Sequence, residues 1–222
     1  MKLLALESAT ESCSVALRDG DAVHARSQLA PREHAALLLP MVEEVLAEAG
    51  LTLAGLDAIA FGRGPGSFTG VRIAASVTQG LAFAAELPVL PVSTLAALAQ
   101  GAWREYGAHR VAAAIDARMG EVYWGLYREQ DGVMLPEGEE GVFAPELVPL
   151  PRAADCTGAG SGWATYGEVL AQRCAVTTHY GDRYPQAVDI LALAAAAWHA
   201  GKAVDAALAQ PVYLRDKVTH QR

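Results

Sequence analysis

The stretch that most restricts how this chain can fold is Phe61-Gly62-Arg63-Gly64-Pro65-Gly66-Ser67-Phe68-Thr69-Gly70-Val71-Arg72. It joins an apolar, strand-like run (Leu56 to Phe61) to an alanine-rich helical run (Ile73 to Ala85). With so little side-chain bulk, the backbone N–H groups of the loop can come close to an anion or to another surface. Before Glu86, the helix behind it carries only Arg72, Ser76, Thr78 and Gln79 as larger polar side chains. A helix that is apolar around most of its circumference is buried on more than one side. One side can lie on a sheet of its own chain; the other needs a second cover.

The flanking segments supply the sheet. Residues 2–7 read as a buried strand ending in Glu7, followed by a hydroxyl-rich turn, Ser8 to Ser12. Strands 13–18 and 21–29 follow, joined at Asp19-Gly20, a tight-turn signal. A helix then runs from about residue 33 to Gly50, with one stripe of Leu38, Val42, Val45 and Ala49 and a second of Leu37 and Met41. Pro40 inside it marks a kink or an early break. Strand 56–61, helix 70–86, strand 88–92 and a helix capped by Ser93 and running to about Tyr106 complete a βββαβαβα half.

The second half restarts the pattern. Strand 111–116 ends in Asp116, and strand 121–128 follows the turn at Ala117-Arg118-Met119-Gly120. Residues 136–151 read as irregular surface with one short helix. A strand over 153–157, a turn over Gly158-Ala159-Gly160-Ser161-Gly162, a helix to about Arg173 and a last helix over 186–200 complete it. This coarse internal repeat predicts two lobes, 1–106 and 107–222, with the tail folding back on the first.

Composition narrows the function classes. An apolar fraction of 52% describes a globular chain with a substantial core, and the net charge of −8 disfavours tight nucleic-acid binding by this chain alone. Neither a signal peptide nor an apolar run long enough to span a membrane is visible. Cys13, Cys156 and Cys174 are odd in number and far apart, which fits reduced thiols in a cytoplasmic protein.

The order of elements, with Leu4-Ala5-Leu6-Glu7-Ser8-Ala9-Thr10-Glu11-Ser12-Cys13 at its start, resembles the two-lobed actin-like fold, the ribonuclease H-like α/β architecture (ASKHA) with mixed sheets flanked by helices. Gly64-Pro65-Gly66-Ser67-Phe68-Thr69-Gly70-Val71-Arg72 narrows this to the TsaB (YeaZ) family. Asp116 to Trp124 and Pro211-Val212-Tyr213-Leu214-Arg215 are similar to segments of that family. The resemblance implies a non-catalytic bacterial subunit for making threonylcarbamoyladenosine in tRNA. Such a subunit binds and activates TsaD, works with the ATPase TsaE, reaches tRNA only through the complex, and forms a homodimer when isolated. It also implies that helices 33–49 and 70–86 form the contact surface, with Leu37, Met41, Ala75, Gln79 and Phe83 near the interface.

The residue chemistry agrees with a chain that has no catalytic residues, metal or cofactor of its own. The resemblance leads one to look for the His-x-x-x-His metal pair of TsaD, but the residue four after His34 is Leu38. In kinases of the actin-like fold a carboxylate at the end of the first strand handles Mg²⁺ and phosphate, so Glu7, Ser8 and Thr10 together with Gly158 and Gly160 form a candidate nucleotide-site remnant. The structural reading of Glu7 is a strand-end carboxylate that bonds the turn after it, and a short glycine motif serves a strand-to-helix turn equally well. No Gly-x-Ser-x-Gly elbow surrounds Ser67. An independent ATP-dependent kinase or ATPase remains the alternative, with a metallopeptidase further behind.

Overall fold

A computed structural model describes residues 1–153 and 155–215. Among the described residues, two mixed sheets carry five α-helices. In the first sheet, β1 (Lys2–Glu7), β2 (Ser12–Asp19) and β3 (Ala22–Leu29) form an antiparallel meander. β4 (Ala58–Gly62) and β5 (Val89–Val92) extend it in parallel, giving the order β3-β2-β1-β4-β5. The second sheet uses the same plan. β6 (Arg110–Arg118), β7 (Glu121–Gln130) and β8 (Val133–Pro136) form the meander, with β10 (Thr157–Ala159) and β11 (Thr178–Tyr180) parallel to β6. β9 (Gly141–Phe143) pairs with β7 off the main path. The internal repeat is therefore present as an order of strands, β8-β7-β6-β10-β11 against β3-β2-β1-β4-β5.

Alternation along the strands sends successive side chains to opposite faces and places the helices. Leu4 and Leu6 of β1, with Ile59 and Phe61 of β4, face α1 (His34–Ala49) and α2 (Phe68–Ala84). Leu3, Ala5, Ala58 and Ala60 face α5 (Ala187–His199). Val111, Ala113 and Ile115 of β6 meet α3 (Thr94–Tyr106), while Ala112 and Ala114 meet Trp163 and Leu170 of α4 (Ser161–Cys174). The last helix, which comes from the second half of the sequence, thus closes a face of the first sheet.

Several expectations change in detail. α1 runs unbroken through Pro40. The carbonyl that loses its donor belongs to Ala36, an exposed residue whose carbonyl can turn to water. α2 begins at Phe68, with Ser67 as a side-chain cap accepting from the Gly70 N–H. The strand expected over 153–157 lies at Thr157–Ala159, so Gly158 is a strand residue rather than part of a loop. The space its side chain would fill is taken by the Trp163 ring.

The apolar flanks of α2 are also explained. Ala74, Ala75 and Ala82 are buried against the sheet, and Val71 against the glycine loop at Gly64. α1 packs on α2, and the short 3-10 turn Ala206–Leu208, near the end of the described chain, packs on it too. The chain's own tail therefore supplies part of the second cover.

The tightest constraint in this packing is Gly70, where an added Cβ would sit 2.0 Å from the Ser8 carbonyl oxygen. Gly80, farther along the same helix, has nothing within 4 Å of that position. Gly70→Ala is expected to cost about 3 kcal/mol through backbone displacement. Gly80→Ala is expected to stabilise by about 0.5–1 kcal/mol through helix propensity. Urea unfolding of the two variants checks both signs.

Candidate functional site

Three features of the first half converge near the C-terminal end of β1. They are the turn after Glu7, the glycine loop, and the start of α2. The turn is buried: Glu7 and Ser8 have no exposed surface, and Thr10 is nearly enclosed. The glycine loop lies against it. The Ser67 N–H donates to the Ala9 carbonyl at 2.7 Å, and the Ser8 hydroxyl donates to the Gly70 carbonyl at 2.9 Å. At Gly66 an added Cβ would come within 2.4 Å of the Ala9 carbonyl oxygen. The close approach that a glycine-rich loop permits is used here on the chain's own backbone.

Glu7 sits beneath this contact. One carboxylate oxygen accepts from the Ala9 N–H at 2.6 Å. The other accepts from the Thr94 hydroxyl at 3.2 Å, and that hydroxyl in turn accepts from the Gly64 N–H. Gly62 leaves the space that the carboxylate fills, since a Cβ there would lie 2.0 Å from Oε2. Burial pushes the Glu7 carboxyl up to about 7, against the lowering pull of the hydrogen bonds from Ala9, Thr94 and Ser8. A carboxylate so enclosed can set loop geometry; a metal–nucleotide complex could reach it only if the loop opened. Thr94, the hydroxyl linking Glu7 to the loop, was missed in the sequence because it first reads as an ordinary residue behind the Ser93 cap.

The candidate nucleotide residues divide between the two sheets. Glu7, Ser8 and Thr10 belong to the turn under the glycine loop. Gly158 lies in β10 of the other sheet, and Gly160 precedes α4 at φ 105°, packed on the Ala114 carbonyl and Leu98. A cleft of about 470 Å³ does exist, between β3, the end of α3 and the start of α5. None of these five residues lines it. Among the described residues there is no group of three or more His, Cys, Asp and Glu side chains placed to hold a metal ion. No helix among them is long and apolar enough to cross a membrane.

The candidate interface residues divide by exposure. Met41 and Ala75 are 7% and 3% exposed and belong to the core between α1, α2 and the first sheet. Leu37 and Gln79 are half-buried, and Phe83 is 83% exposed. At about 100° per residue, the solvent side of α2 is a stripe of Thr69, Arg72, Ser76, Gln79, Gly80 and Phe83. On α1 the corresponding strip is Ala36, Leu39, Pro40, Glu43 and Ala47. The helical stripe of Leu37 and Met41 thus turns inward at Met41, while Leu39, which stood outside both predicted stripes, is 45% exposed.

The glycine loop with its helix, set on a duplicated sheet, can be compared with known proteins. A protein from Escherichia coli (strain K12) named tRNA threonylcarbamoyladenosine biosynthesis protein TsaB is 45% identical over 227 residues, covering 100% of this chain and 98% of that protein. The chain belongs to the TsaB family. The likeness extends to structure: a solved structure titled YeaZ from Pseudomonas aeruginosa superposes with a TM-score of 0.92 at 55% identity, covering 96% of this chain and 99% of that one. A Haemophilus influenzae relative of the same name as the E. coli one is 42% identical over 100% of this chain and 97% of its own length. Residues 26–220 also match the family model described as TsaD, tRNA N6-adenosine threonylcarbamoyltransferase. The TsaB family and that transferase family therefore share one two-sheet frame, of the actin-like type.

Because the folded-state value of Glu7 lies above its ordinary value near 4.5, the folded protein keeps a proton that the unfolded chain releases between about pH 4.5 and 7. The contribution of this group is fully present below that window and is lost as pH rises through about 7. Its size is about 3 kcal/mol. Glu7→Gln is expected to flatten this part of the profile, so that the wild type loses stability relative to the variant between pH 5 and pH 8 in chemical denaturation.

Proposed function

We propose that this chain is a non-catalytic subunit in the biosynthesis of threonylcarbamoyladenosine in tRNA. In this reading it binds a TsaD-type tRNA N6-adenosine threonylcarbamoyltransferase and activates it, with the ATPase TsaE acting on the same complex. The observation that carries the biosynthetic role is the full-length likeness to proteins named for that process. The enclosure of Glu7 supports the non-catalytic part: the carboxylate that a kinase of this fold would turn towards Mg²⁺ is held by Ala9 and Thr94 under the glycine loop.

The exposed stripes of α1 and α2 support the partner-binding part. Phe83 and Leu39 stand out from them as large apolar side chains facing water. Between Arg72 and Phe83 the α2 stripe carries Ser76 and Gly80, which let another helix approach closely. A stable specific interface buries about 1,600 Å² in total, about half on each partner, and two adjacent helices of this length can supply that half. A second copy of the chain would use the same surface in the isolated protein, and tRNA would be reached through the transferase.

Threonylcarbamoyl transfer to tRNA, assayed with the transferase and ATPase in the presence and absence of this chain, tests the role directly; full modification without it overturns the reading. Leu39→Asp and Phe83→Asp are each expected to weaken binding to the transferase tenfold or more, about 1.4 kcal/mol, with the melting temperature little changed. Met41→Asp is expected to unfold the protein, because that side chain lies in the core. Calorimetric titration with the transferase, alongside thermal melting of each variant, separates the two effects.

A further inference from the structure

At the N-terminal end of the α2 stripe, one arginine is held in an unusual way. The Arg72 guanidinium carbon lies 3.3 Å from the centre of the Phe68 ring and 5.5 Å from that of Tyr213. Its Nε donates to the Tyr213 hydroxyl at 2.8 Å. The two rings are 6.0 Å apart and tilted by 38°. All three side chains remain exposed, Phe68 at 55% and Tyr213 at 46%. Tyr213 is brought there by the tail, whose Val212 N–H donates to the Arg63 carbonyl in the glycine loop.

The planar guanidinium is thus fixed by stacking and by a hydrogen bond at Nε. Its two terminal nitrogens take no hydrogen-bond partner among the described residues. Several arginines use the fork on a carboxylate (Arg26 on Glu44 and Glu48, Arg104 on Asp189, Arg118 on Asp116, and Arg215 on Glu121), whereas Arg18 and Arg173 bond backbone carbonyls. α2 has no acidic residue of its own to offer Arg72. A guanidinium held in one orientation before binding loses little freedom when a carboxylate arrives, and its geometry favours a two-point contact.

We propose that Arg72, positioned by Phe68 and Tyr213, is a receptor for a carboxylate of the transferase subunit, and that the C-terminal tail is therefore part of the partner surface. The proposal rests on the reading above and adds to it a recognition element of defined chemistry. Two observations favour a protein carboxylate over a nucleic-acid phosphate. Arg72 lies on the same stripe as Ser76, Gln79 and Phe83, so a helix docked along α2 reaches it. The net charge of −8 also opposes the approach of a polyanion.

The test is titration of the full-length chain and its variants with the full-length transferase, at low and at moderate salt. Arg72→Ala is expected to raise Kd at least tenfold and to reduce its salt dependence. Arg72→Lys keeps the charge but loses the planar fork, and is expected to recover less than half of the lost affinity on a logarithmic scale. Tyr213→Phe, which removes only the acceptor for Nε, is expected to raise Kd about threefold. Melting temperatures close to that of the wild type establish that these exposed positions act on binding. If Arg72→Ala leaves Kd within twofold while Phe83→Asp weakens it, the carboxylate receptor is overturned and the partner surface stands. If neither substitution matters, or if the wild type forms no complex, the partner surface itself falls and the inference with it. Loss of tRNA affinity by the assembled complex, or of self-association, with transferase affinity unchanged, would assign Arg72 to those contacts and overturn the proposal.

Discussion

Everything in the first half depends on how closely the glycine loop lies on the turn after β1. Backbone meets backbone there: the Ser67 N–H reaches the Ala9 carbonyl, and Gly66 and Gly70 leave no room for a side chain. Contacts this close fix the position of the loop, and the loop fixes where α2 starts. Ser67 then caps the helix, so the same few residues set both the turn and the helix direction. The buried Glu7 links this contact to α3 through Thr94, which joins the first sheet to the helix packed between the two sheets.

The same loop also differs from an open phosphate-binding loop. A phosphate-binding loop keeps its backbone donors open to ligand, whereas here the Ser67 and Gly70 N–H groups are satisfied within the chain. Sharing a two-sheet frame with a transferase family is therefore compatible with a different job, because function resides in the site rather than in the frame.

Much of this was legible in the sequence, for physical reasons. Long strands with period-two or continuous burial, such as β1, β2 and β6, announce themselves, and so do α1 and α3 with their Gly50 and Gly107 ends. The three-residue strands β9 and β11 gave no usable signal, since a strand that short has no periodicity to read. β10 was displaced because Gly158 and Gly160 read as a turn, whereas Gly158 serves a strand shielded by Trp163. On the two helices expected to carry the contact surface, the periodicity did not give the exposure of single residues: a helical stripe defines a face without saying how far a neighbouring element covers it, so Met41 and Ala75 are buried while Leu39 and Phe83 face water. The Arg72 cluster could not be read at all, because Tyr213 lies 141 positions away.

The strand order carries a consequence for how the protein is made. The face of the first sheet formed by Leu3, Ala5, Ala58 and Ala60 is covered by Ile190, Leu191 and Ala194 of α5. During synthesis those early strands leave the ribosome long before their cover exists. At about 5–20 residues per second, the interval between the first strands and the last helix is on the order of tens of seconds. For that time an apolar sheet face is open to other chains. Losing α5 would uncover that face and so leave the beginning of the protein, rather than its end, exposed to aggregation.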